Sequence, residues 1–106
     1  MTIEEKIETM RVMLGLAADD SEELSVLPVY LNQAKQKILN HRFPFGTNLV
    51  EVEQQYEYDQ IELAIVLYNQ RGGEGQIVHS ENGVRREWRT EHQILKGIPR
   101  MVGIPQ

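Results

Sequence analysis

A chain of 106 residues has room for one domain with a modest core. It holds no cysteine, which excludes a disulfide framework and a thiolate metal site, and leaves a reducing compartment compatible. No apolar stretch reaches membrane-spanning length, and the opening MTIEEKIETM is charged and helix-forming rather than signal-like, so we expect a soluble chain with no visible export signal and no membrane partner.

The net charge of −5 hides an asymmetry: residues 1–70 carry net −7 and residues 71–106 net +2. A strongly acidic body argues against a general duplex-DNA binder, because affinity for phosphate comes from clustered cations. An acidic body with a basic end also suits head-to-tail self-association into rings or filaments. From charge alone, a solvated acidic surface is the favoured reading.

In chain order, Thr2 with Glu5 forms a capping-box pattern, and Ile3, Ile7, Met10 and Leu14 recur at helical spacing. These predict a first helix over 2–14, stopped by Gly15, with Met10 and Met13 as core filling. Asp20-Ser21-Glu22-Glu23 is an acid-rich helix start. The helix it opens, 21–41, carries Leu24, Leu27, Leu31, Ala34, Ile38 and Leu39, with Lys35 and Lys37 on its outer face. Pro28 lies inside that pattern and predicts a kink or a restart near Ser25. The stretch 42–52, including HRFPFGTN, reads as a loop, with Pro44 and Gly46 breaking regular structure. Phe43 and Phe45 are either core plugs or exposed anchors, and burial is the favoured reading for both.

The central helix is placed at 53–71, where helix formers lead into the apolar run from Ile61 to Tyr68 and Gly72-Gly73 follow. Its last two turns are apolar nearly all round, which implies burial on more than one side, most easily by a neighbouring subunit. Asn82-Gly83 then suits a two-residue type I′ turn inside a hairpin at 76–89. That register sets Ile77 opposite Trp88, His79 opposite Arg86 and Glu81 opposite Val84, with Ser80 opposite Arg85 and Gln76 opposite Arg89 on the other face. A two-stranded ribbon is marginal in water, so it needs outside support. Thr90 to Gln93 is a second capping-box start for a short helix, 91–97, stopped by Gly97. The tail 98–106, IPRMVGIPQ, is extended and apolar, requiring docking on its own domain or a neighbour. Together these elements predict a mainly α fold, a small bundle of three to four helices with a β-hairpin and an extended C-terminal tail, in a single domain over 1–106.

No catalytic, cofactor or metal set emerges. His41, His79 and His92 share no ligand spacing, and Ser80 has no nucleophile-elbow context. RGGEGQ follows a helix instead of leading into one and lacks the Gly-Lys-Ser/Thr ending of a phosphate loop. Glu51, Glu53, Glu57 and Asp59 read as a solvated helical face. Arg85, Arg86 and Arg89 could enter a nucleic-acid groove, but Arg86 faces opposite to the other two and Glu87 interrupts them, so protein contact is narrowly favoured.

One long stretch says more. LYNQRGGEGQIVHSENGVRREW with its Ile-Pro-rich close resembles the head–tail connector proteins of tailed phages and prophages of Gram-positive bacteria, a family often labelled DNA-packaging or head-completion proteins. The residues carrying the resemblance are Leu67, Tyr68, Asn69, Arg71, Gly72, Glu74, Gly75, His79, Ser80, Glu81, Asn82, Gly83, Val84, Arg86 and Trp88. NQAKQKILNHRFPFGT upstream is similar to the family's second helix and aromatic-proline loop, while Gly73 and Trp88 depart from its usual pattern. The resemblance implies a non-enzymatic, cofactor-free adaptor in the virion, at the capsid–tail junction, made in the bacterial host cytoplasm. It implies a homo-oligomeric ring below the portal protein, with genome DNA passing through it and a downstream connector, stopper or tail protein docking on it. Its contacts to partners or neighbouring subunits are assigned to Arg71, Glu74, Gly75, Ile77, His79, Asn82, Gly83, Arg86, Trp88, Ile98 and Pro99. The alternative is a small nucleic-acid-binding phage regulator that uses the hairpin arginines.

Overall fold

The computed structural model describes residues 1–19, 21–70, 79–81, 84–86 and 89–100, with the backbone alone for 79–81 and 84–86. It is mainly helical. The first helix, α1, spans Ile3–Leu14. The Thr2 hydroxyl accepts from the Glu5 N–H while the Glu5 carboxylate accepts from the Thr2 N–H, so two end donors are satisfied reciprocally. At the other end Gly15 adopts φ 75°, and the Gly15 and Leu16 N–H groups return to Val12 O and Arg11 O at 3.1 Å. This double bond pattern needs a left-handed residue, which glycine supplies without a Cβ penalty. Ile3 departs from the expected buried face and is 47% exposed, while Lys6 is buried beside Met10.

The single helix expected over 21–41 is two. A short α2, Ser21–Leu24, stops where Ser25 Oγ donates to Glu22 O at 2.7 Å. A new helix, α3, then runs Leu27–Arg42 with Pro28 in its first turn. Proline's missing N–H costs nothing there, so restart wins over kink. Leu27, Leu31, Ala34, Ile38 and Leu39 form its buried face. Beyond it Phe43 is buried but Phe45 is 66% exposed, correcting the expectation that both are core. A turn closed by Gly46 N–H to Phe43 O at 2.9 Å swings the second ring outward.

The central helix, α4, spans Glu57–Gln70, and a 3-10 turn at Gln54–Tyr56 replaces the helical start expected at residue 53. It runs opposite to α3: Arg42 stacks on Tyr56 at one end, and Tyr30 meets Tyr68 edge-on at the other. Ile61, Leu63, Ala64 and Ile65 have no exposed surface within this one chain. The second side of α4 is therefore covered by the chain itself, through α1 and a last helix, α5, Glu91–Lys96, rather than by a neighbouring subunit. Ile94 of α5 and the following Ile98 belong to the same core cluster. Two three-residue strands, β1 His79–Glu81 and β2 Val84–Arg86, pair antiparallel with His79 opposite Arg86, Ser80 opposite Arg85 and Glu81 opposite Val84. The Asn82-Gly83 turn, the Ile77–Trp88 pair and the remainder of the 76–89 ribbon lie outside the described residues, as does the tail beyond Arg100.

One polar joint sits inside the bundle. Gln60 is 2% exposed; its amide donates to Leu31 O at 2.9 Å and its Oε1 accepts from Lys6 Nζ at 2.6 Å, linking α1, α3 and α4. Gln60→Leu is expected to cost about 2 kcal/mol, since it leaves the buried ammonium short of a partner. Lys6→Met should cost less, and the double substitution should cost clearly less than the two losses added. Urea unfolding of the three variants checks this; additive losses would break the joint into unrelated contacts. In the same assay Gly15→Ala should cost about 1 kcal/mol for the left-handed cap. Gly97→Ala should be nearly neutral, because Gly97 has φ −77° and a Cβ there meets Ile94 O at an ordinary 3.6 Å.

Candidate functional site

The acidic residues around the start of α4 were expected to be a solvated face. Glu51 is exposed as expected, whereas Glu53, Glu57 and Asp59 are half-buried, and all four face a cation. Glu51 faces Lys35 at 3.4 Å and Lys6 at 3.8 Å, Glu57 faces Lys6 at 3.7 Å, and Glu53 pairs with Arg42. The hydrogen bonds that Arg42 donates to the Glu53 carboxylate raise the Arg42 pKa, an effect that only reinforces an already permanent charge. Such pairs are a structural use of carboxylates, and none leaves two acids facing each other for proton transfer.

The histidines are equally dispersed. His41, in the last turn of α3, has Nε2 2.9 Å from Ile98 O, and His92 is exposed on α5. The His79 side chain lies outside the described residues. Among the described residues no group of three or more His, Asp or Glu side chains is placed to hold a metal ion. No helix among them is long and apolar enough to cross a membrane.

Arg89 is the residue whose role changes most from sequence to structure. Its Nε donates to Glu62 Oε2 at 2.9 Å, and its Nη2 donates to Glu62 Oε1 at 2.7 Å and to Asp59 Oδ1 at 2.9 Å. The two-pronged contact to Glu62 matches the planar fork of a guanidinium. Hydrogen bonds from Arg89 hold the Glu62 carboxyl below its usual range, and the two acids raise Arg89. Arg89 therefore clamps the chain leaving the strand pair onto α4, rather than presenting a free cation beside Arg85 and Arg86. The earlier pairing of Arg89 with Gln76 falls outside the described residues.

The start of the tail is held as well. Ile98 is 2% exposed, buried against its own bundle, and Arg42 Nη1 donates to Pro99 O at 2.8 Å. Pro99 itself is exposed. Of the other expected contact residues, Arg71, Glu74, Gly75, Ile77, Asn82, Gly83 and Trp88 lie outside the described residues, and only the backbone of His79 and Arg86 is described. The 71–88 stretch thus leaves α4 at its last residue, Gln70, while Arg89, just after the stretch, is held on the first half of the same helix, at Asp59 and Glu62. Lys6, Gln60 and the clamp carry no local sequence signal; only the apolar neighbours of Lys6 hint at burial.

Comparison with known proteins gives the family. The model of the phage gp6-like head-tail connector protein family matches residues 4–99. No curated protein and no solved structure matches the chain. The match spans nearly the whole sequence, and the chain belongs to the phage gp6-like head–tail connector family, with a structural connector role.

Proposed function

We propose that this chain is an adaptor subunit that assembles as a ring below the portal, leaves a channel for genome DNA, and offers a docking face to a stopper or tail component. The observation that carries the reading is the family match over 4–99, which includes the whole 71–88 stretch. The Arg89 clamp supports it physically. A ribbon too small to be stable alone is returned to α4 by a bidentate ion pair, so it can be presented to a partner while its base stays fixed. In this reading Arg71, Glu74, Gly75, Ile77, His79, Asn82, Gly83, Arg86 and Trp88 form the contact element, with Pro99 outward at the tail and Ile98 serving internal packing. The chain needs no cofactor and performs no catalysis in this role.

The nucleic-acid alternative keeps only Arg85 and Arg86, because the Arg89 guanidinium is taken by Asp59 and Glu62. Salt-dependent retention of the isolated protein on DNA would revive it.

Light scattering of the purified protein, alone and with the portal of the same phage, tests the adaptor reading. A ring-sized species in the mixture is the expected result, and a monomer indifferent to portal would remove it. Gly83→Val should strain the type I′ turn by about 1 kcal/mol or more and impair assembly on portal more than folding. The clamp makes a separate prediction in acid. Glu62 has a lowered folded pKa, so its contribution is present above the ordinary carboxylate value and lost as pH falls through the lowered one. Arg89→Gln should therefore reduce stability near neutral pH and flatten its decline below about pH 4.5, read from urea midpoints. Identical pH profiles for variant and wild type would show that the clamp is not formed in solution.

A further inference from the structure

At the C-terminal end of α3 the chain forms an open groove of about 760 Å³. Its apolar lining comes from Leu95, Pro99 and the edge of the buried Ile98, and His41, His92, Lys96 and Arg100 line it as well. Glu91 also lines it but is paired with Lys37 at 3.1 Å. Lys96 and Arg100 are exposed and have no ion-pair partner among the described residues. The groove thus couples apolar surface to two uncompensated cations.

The opposite end of α3 has the complementary character. There the link from α1 into α2 exposes Ala17, Ala18, Asp19 and Glu22, and neither Asp19 nor Glu22 meets a cation among the described residues. Sixteen helical residues separate the two ends, a span of about 24 Å at 1.5 Å per residue. An acid-flanked, small-residue corner cannot reach the groove of its own chain over that distance. It can reach the groove of another copy.

The geometry points to a head-to-tail contact in which the corner carrying Ala17, Ala18, Asp19 and Glu22 of one subunit docks in the Leu95/Pro99 groove of the next, with Asp19 and Glu22 meeting Lys96 and Arg100. Such a contact joins two different surfaces, and its repetition closes a ring when the rotation between copies allows it. Charge complementarity of this kind fixes orientation and register more than it adds affinity. The inference rests on the ring reading above, since it names the surfaces by which one subunit would meet its neighbour.

The test uses the full chain at low ionic strength, in sedimentation velocity over a range of concentrations. Wild type should associate, and both Lys96→Glu/Arg100→Glu and Asp19→Lys/Glu22→Lys should weaken association at least tenfold. Circular dichroism should show both folded, as all four side chains are exposed. An equimolar mixture of the two reversed proteins should regain association, because each supplies the complement of the other. Milder Lys96→Gln/Arg100→Gln should give a smaller loss in the same direction. A wild type that is monomeric throughout, reversals without effect, or a mixture without rescue would each overturn the contact. Association that ignores the reversals but vanishes on deletion of residues 101–106 would assign the groove to the tail instead and overturn it equally. Portal binding by a protein insensitive to the reversals removes this contact and leaves the adaptor reading standing. Groove-dependent self-association without portal binding does the opposite.

Discussion

The bundle depends on the junction at Gln60. A lysine 3% exposed among helices would be costly without close acceptors, and Gln60 Oε1 at 2.6 Å with Glu57 at 3.7 Å supplies them. Because the same glutamine donates to Leu31 O, satisfying Lys6 also fixes α4 against α3. Apolar contacts such as those of Met10, Ile61 and Ala64 tolerate small shifts, whereas a one-residue slip of α1 would turn Lys6 by about 100° and strand its charge. The polar joint therefore selects one register from several that the apolar surfaces alone would allow.

With three helices so fixed, the described residues from Arg89 to Pro99 are fastened to them by groups on α3 and α4. Asp59 and Glu62 hold Arg89, Lys37 holds Glu91, and His41 and Arg42 engage the carbonyls of Ile98 and Pro99. Burial of Ile94 and Ile98 fills the remaining side of α4. The apolar character of α4 all round, which alone suggests a subunit interface, is thus explained within one chain. Any interface between subunits must be sought elsewhere.

What was legible in the sequence was mostly local. Thr2 with Glu5 and Thr90 with Gln93 are reciprocal caps that depend only on residues three apart, and both form. Pro28 was legible as a disturbance, and the choice of restart over kink followed from its falling in a first helical turn. The apolar run of α4 was legible as buried, but not what buried it. Phe43 and Phe45 are indistinguishable by type, and only the turn between them separates core from surface. The ion pairs were illegible because the partners are far apart in sequence: Arg89 and Glu62 differ by 27 positions, Lys6 and Gln60 by 54. Of the candidate site, the family stretch was legible as a pattern, while its anchoring to α4 through Arg89 was not.

These pairings change what the acidic composition means. Of the twelve acids in residues 1–70, Glu8, Glu51, Glu53, Glu57, Asp59 and Glu62 each face a cation, so the net −7 is not a uniform repulsive coat. Screening confines the remainder to about 8–10 Å at ordinary ionic strength. What acts on a neighbour is then the local residue: Asp19 and Glu22 at the α1–α2 corner, Lys96 and Arg100 by α5. These two patches of opposite sign lie toward opposite ends of α3, which gives a contact between them a direction. In the ring proposed above, direction would matter more than tightness, because each subunit would have to choose the correct neighbour on each side while a channel-facing surface would need no grip on what passes through it.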